Sequence, residues 1–194
     1  MTTVYILRHG QYSSPTPVIP YRMPGFHLSP EGVKQAEAVS ARLASEPVRG
    51  VYASPMERTA ETAAIIARPH GLTPVIDERL WEVRSPAQGK EKGFITAMGG
   101  WHMYDTPWYR EHHGETLDEI YSRTQAVVDE KRREHEGGAV VLVTHGDPVM
   151  LVAAFYLHVP RTPSAMETLP YVPMAGGYTI VFDGQPSIYP IVAS

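Results

Sequence analysis

Residues 139–146 read Ala-Val-Val-Leu-Val-Thr-His-Gly. Five consecutive apolar residues, three of them valine, predict a strand buried on both faces, as at the centre of a parallel sheet. Working outward, Leu117, Ile120, Tyr121, Thr124, Val127 and Val128 form a helical stripe upstream. Thr116 and Glu119 form a capping box at its start, and Gly137-Gly138 ends it. A helix is expected downstream from Pro148. The same alternation occurs earlier. Residues 3–7 and 50–53 read as short strands, and 74–76 as a third. Ser29-Pro30 opens a helix whose apolar face is Val33, Ala36, Val39 and Leu43. Ser54-Pro55-Met56-Glu57 reads as a capping box opening a helix to about residue 67. Residues 178–182 and 187–189, joined by Asp183-Gly184, read as closing strands. Strands alternating with helices predict an α/β fold: a three-layer α/β/α sandwich with a mostly parallel central sheet.

Two stretches break this rhythm. Residues 11–28 are rich in proline and tyrosine and read as loop. Residues 83–114 interleave Gly89, Gly93, Gly99 and Gly100 with Trp101, Tyr104, Trp108 and Tyr109. So long an irregular stretch is expected to be a lid or functional insertion. Its aromatics either line a pocket or pack the insertion onto the body. Residues 1–194 are read as a single domain carrying 83–114 as the substrate-specificity insertion.

Composition narrows the function. The chain has 194 residues, 43% hydrophobic and 20% charged, which suits a globule with a real core. Seventeen Lys and Arg against 21 Asp and Glu leave a net charge of −4, which argues against nucleic acid or an anionic membrane as partner. Cysteine is absent, so disulfides, thiolate nucleophiles and thiolate metal sites are excluded. The opening MTTVYILRHG has no signal-peptide pattern. The longest apolar run, 149–157, is too short to span a bilayer. A cytoplasmic location is expected.

In open α/β sheets, ligands sit beyond the carboxyl ends of the strands. The first strand delivers Arg8-His9-Gly10 to that edge, the second Ser54 and then Arg58, the third leads toward Glu82, and the central strand delivers Thr144-His145-Gly146. Any one of these alone would suit a surface ion pair or a structural histidine. Together, Arg8, Arg58, His9 and His145 would repel one another unless an anion compensates. A phosphoryl group does so, and arginine forks match its oxygens.

These blocks resemble the histidine phosphatase superfamily, in its phosphoglycerate-mutase-like branch. Arg8-His9-Gly10 looks like the family signature. Arg22, Gly25, Leu28-Ser29, Gly32 and Gln35-Ala36 are similar to its following segment. Ser54-Pro55, Arg58 and Thr62 resemble its second arginine block, and Leu80 with Glu82 its acid-bearing segment. Gly114-Glu115-Thr116, Arg123 and Thr144-His145-Gly146 follow in order. Gln11 stands where many members have Glu, and the mutases' Trp-Asn pair is replaced by residues 12–19. The pattern after Glu82 also departs, leaving Glu78 and Asp105 as alternative acids.

The resemblance implies metal-independent hydrolysis of a small phosphorylated metabolite. His9 would be the nucleophile and Glu82 the proton donor. Arg8, Arg58, His145 and, from the proline-rich loop, Arg22 would bind the phosphate. No cofactor is called for. His102, His112 and His113 could in principle hold a metal, but adjacent histidines on one loop are a weak signal. A phosphoglycerate-type mutase and a non-catalytic phosphate-binding module are the alternatives. Exposed aromatics could support a homodimer.

Overall fold

Along residues 1–191, which the computed structural model describes, the elements run in this order: β1 (Thr2–Arg8), α1 (Pro30–Leu43), β2 (Val48–Ala53), α2 (Glu57–Ala67), β3 (Val75–Ile76), α3 (Phe94–Ala97), α4 (Pro107–Glu111), α5 (Leu117–Glu134), β4 (Ala139–Thr144), α6 (Gly146–Tyr156), α7 (Pro163–Met166), β5 (Gly177–Phe182) and β6 (Ser187–Ile191). The strands form one sheet, ordered β3-β2-β4-β1-β5-β6. β4 lies parallel to both its neighbours, β1 and β2, and β3 is parallel to β2. Only β5 runs against the others, because it is antiparallel to both β1 and β6. The sheet is therefore mostly parallel.

The two-residue period of the strands divides the core. Val4, Ile6, Val140 and Leu142 point to one face, where they meet Ile120, Val127 and Val128 of α5 and the apolar length of α6. Tyr5, Leu7, Val141 and Val143 point to the other, against Val39 and Leu43 of α1 and Ala63 and Ile66 of α2. Helices thus cover both faces. Each fully buried Val or Leu contributes about 1.5–3 kcal/mol of transfer free energy.

Local signals place most helix starts. The Ser29 side chain accepts from Gly32 N, with Pro30 as the first residue of α1. Thr116 and Glu119 form the capping box of α5. α6 begins at Gly146, two residues before the expected Pro148, which falls within the first turn, where its missing N–H costs no hydrogen bond. The Ser54–Glu57 capping box does not form: α2 starts at Glu57, Met56 is its cap residue, and no side chain caps it.

Residues 83–114 are less irregular than expected. They form α3, a 3-10 turn over Gly100–Asp105, and α4. Met103, Tyr104 and Tyr109 are buried in the core on the α5/α6 face, and the Tyr109 hydroxyl donates to Glu115 O at 3.2 Å. Packing onto the body therefore accounts for Tyr109, while Tyr104 is both buried and part of a cavity wall. Trp108 meets Phe94 edge-on at 5.2 Å. No helix among the described residues is long and apolar enough to cross a membrane.

Candidate active site

The register of the central strands builds the site. Arg8 of β1 pairs with Thr144 of β4, so the next residues, His9 and His145, emerge side by side. Their rings meet edge-on with centroids 5.2 Å apart. On the other side of β4, Ala53 of β2 pairs with Val143, which brings Ser54 to the same edge. Freed from capping, the Ser54 hydroxyl lies 2.8 Å from His145 Nε2. Behind His9 the backbone is clamped. Gly10 N donates to Thr62 Oγ1 at 3.1 Å, and a Cβ on Gly32 would lie 1.9 Å from Gln11 O. Only glycine lets α1 approach the loop after β1 so closely.

His9 is buried, and both its nitrogens have partners that fix its state. Nδ1 lies 2.7 Å from Gly10 O, and a carbonyl can only accept, so Nδ1 carries the proton. Nε2 accepts from Arg58 Nε at 3.2 Å, so it carries the lone pair, and His9 lines the cavity. Burial first, then His145 and Arg58, hold the His9 pKa well below its ordinary 6.5. The ring is therefore neutral at neutral pH, as a nucleophile must be. His145, with 0% exposure, is pushed down by burial and by Arg58 and its neighbours.

Arg58 is 1% exposed. Its Nη2 donates to Tyr21 O at 2.7 Å, and Tyr21 adopts a left-handed φ of 36°. That conformation is costly for a tyrosine and presents its carbonyl to the guanidinium. Arg8 Nη1 donates to Val172 O at 2.8 Å, with its guanidinium 5.3 Å from the Tyr171 ring centre. Arg58 Nη1 and Arg8 Nε are buried without a protein partner. Orphaned buried donors are costly, and two on neighbouring guanidiniums describe an anion site.

Glu82 completes the inner wall. Its Oε2 lies 3.2 Å from His145 Nδ1 and 3.8 Å from Arg58 Nη2, and Oε1 accepts from Val83 N at 3.0 Å. The segment carrying it is held from behind. Thr144 Oγ1 donates to Leu80 O at 2.7 Å, Arg123 Nη1 to Trp81 O at 2.7 Å, and Arg22 Nε to Glu82 O at 2.6 Å. Buried Glu115 pairs with Arg123 at 2.6 Å and with Arg22 at 3.3 Å. Arg22 therefore differs from expectation: its donors are engaged behind Glu82, and it does not line the cavity. Arg8, His9, Arg58 and Glu82 do line it; His145 does not, and its Nε2 and Nδ1 face Ser54 and Glu82.

The alternative acids lie elsewhere. Glu78 and Asp105 are exposed, and Asp105 pairs with Arg110 at 3.2 Å. His102, His112 and His113 are also exposed; His102 faces Glu167 at 3.6 Å, and His112 Nδ1 lies 2.7 Å from Trp108 O. Among the described residues, three potential ligand atoms within 4.8 Å of one another occur at His9, Glu82 and His145. Arg58 lies among them and Arg8 beside them, a setting that favours an anion over a cation.

The cavity, about 390 Å³, also holds residues that sequence reasoning missed. Asp147 accepts from the hydroxyls of Tyr104 and, at 2.6 Å, Tyr171. Burial first, then Glu82, push its pKa up. The strand-end logic that found His145 would have reached Asp147 two residues on. Tyr171, beyond the resembling blocks, had no such signal.

The chain is similar to proteins of known sequence and structure. An uncharacterized protein of Mycobacterium tuberculosis is 37% identical over 153 residues, 76% of this chain and 75% of its own length. Phosphoserine phosphatase 1 of Hydrogenobacter thermophilus is 29% identical over 158 residues, 77% of this chain and 73% of its own. In fold, the chain is similar to a mycobacterial glucosyl-3-phosphoglycerate phosphatase solved with VO3, with a TM-score of 0.78, 23% identity and 99% of each chain covered. Residues 4–185 match the sequence model of the histidine phosphatase superfamily (branch 1), and the chain belongs to that superfamily as a phosphatase of the histidine type.

Proposed function

We propose that this chain hydrolyses a small phosphomonoester through a phosphohistidine on His9. One observation carries the reading: a buried neutral imidazole with its Nε2 lone pair on Arg58, in a cavity where Arg58 and Arg8 each hold an unpartnered N–H group. Phosphoryl transfer needs charge neutralisation and in-line positioning above all. Arg8 and Arg58 hold the non-bridging oxygens, joined by His145 as its Nδ1 exchanges Glu82 for the phosphate. His9 Nε2 forms a bond to phosphorus while the ester P–O bond breaks, and the leaving oxygen takes a proton from Glu82. Water then attacks phosphorus and gives a proton to Glu82, the N–P bond breaks, and inorganic phosphate leaves. No step calls for a metal or cofactor. Residues 1–194 act as one unit, and 83–114 form the outer wall that selects the alcohol.

The test is turnover of p-nitrophenyl phosphate in EDTA by the unaltered chain and by His9→Ala. Turnover that survives EDTA and disappears in His9→Ala supports the mechanism; full activity in His9→Ala overturns it. Isomerisation of a phosphoglycerate without phosphate release would assign a mutase instead. Binding of phosphate without turnover would leave a binding module.

A further inference from the structure

The outer part of the cavity constrains the alcohol half of the substrate. Among the residues lining the cavity, the cations are Arg8, over the Tyr171 ring, and Arg58, against His9. Their unpartnered donors are the ones a phosphoryl group would take. Arg22 and Arg123 stand behind Glu82, bound to Glu115, and do not line the cavity. Two carboxylates do line it, Glu82 and Asp147. With a phosphoryl group on Arg8 and Arg58, a carboxylate or second phosphate on the leaving alcohol would meet Asp147 with no further cation lining the cavity, at a cost in both desolvation and repulsion.

The rest of the wall is apolar or aromatic. Ile19, Ile95 and Met103 line it with Trp101, whose ring stacks on Tyr104 at 5.8 Å and 28°. Asp147 is held in place by two tyrosine hydroxyls, one on each oxygen. Each oxygen keeps a further lone pair for another donor. A volume near 390 Å³ admits a phosphoryl group and one small substituent.

We propose that the substrate's alcohol part carries no acidic group, packs an apolar body against Trp101 and offers a hydroxyl or protonated amine to Asp147. This rests on the phosphatase reading above. The experiment measures kcat/KM of the full chain for O-phosphoethanolamine against O-phosphoserine, and for benzyl phosphate against 3-phosphoglycerate. The acid-free member of each pair should be favoured by about tenfold or more. Asp147→Asn should lower the preference for phosphoethanolamine over benzyl phosphate by about tenfold, and Trp101→Ala should raise it. Equal or better turnover of phosphoserine and 3-phosphoglycerate, with His9-dependent p-nitrophenyl phosphate turnover intact, overturns the inference and leaves the phosphatase standing. No His9-dependent turnover of p-nitrophenyl phosphate takes down both. The four-substrate comparison on the unaltered chain decides the matter even if Asp147→Asn fails to fold.

Discussion

Replacing Arg58 separates its charge from its shape. Arg58 touches His9 Nε2 and Tyr21 O through Nε and Nη2 and keeps buried Nη1 without a partner. Arg58→Lys keeps the charge but cannot span these positions, whereas Arg58→Met loses both. Removing one preorganised donor from a developing anion costs about 2.7–4 kcal/mol, or 10²–10³ in rate. Both variants should therefore lose about that factor in kcat/KM for p-nitrophenyl phosphate. Their pH profiles should differ. Burial and His145 depress the His9 pKa, and the Arg58 charge depresses it further. Without that charge His9 protonates at higher pH, so the acid limb of kcat/KM moves upward in Arg58→Met and stays nearly in place in Arg58→Lys. The assay is kcat/KM from about pH 4 to pH 8, with melting curves to establish folding. An Arg58→Met protein within tenfold of the unaltered rate, or with its acid limb shifted downward, refutes the reasoning.

Four further outcomes follow from the same geometry. Glu82→Gln should slow alkyl phosphates about 10²–10⁴-fold and the nitrophenyl ester far less, because nitrophenolate leaves without a proton; equal losses would move the acid role elsewhere. Gly32→Ala would put a Cβ 1.9 Å from Gln11 O, so denaturant melts should show a loss of about 1–3 kcal/mol. Glu115→Ala strips the shared partner from Arg22 and Arg123 and should cost about 3–5 kcal/mol by the same measurement. Stability should also fall as pH drops below 6.5. The depressed native pKa values of His9 and His145 mean that the unfolded chain binds more protons there. His145→Gln should make that slope shallower by up to about 1.4 kcal/mol per pH unit.

The parts of this molecule legible in the sequence are those where local pattern and long-range structure agree. The valine run of β4 can be buried only at a sheet centre, and strand direction then puts His9, His145 and Arg58 at one edge. Ser54 misleads because Ser-Pro-x-Glu is a cap signal, while in the folded chain its hydroxyl faces His145. Arg22 misleads because its charge suits phosphate, yet Glu115, 93 residues away, engages it instead. Tyr104 and Tyr171 meet on Asp147 from segments with no shared periodicity, so only the tertiary structure brings them together.

The pairing of β1 bears on how the protein is made. Both ladder partners of this first strand, β4 and β5, come from the last third of the chain. At ribosomal rates of about 5–20 residues per second, Val4, Ile6 and Leu7 wait on the order of ten seconds before residues 139–144 can join them. Until then the strand leading to His9 is an apolar segment with two open edges, open to wrong pairing. The candidate site can therefore form only near the end of synthesis, and a nascent chain stalled before β4 holds His9 without His145 beside it.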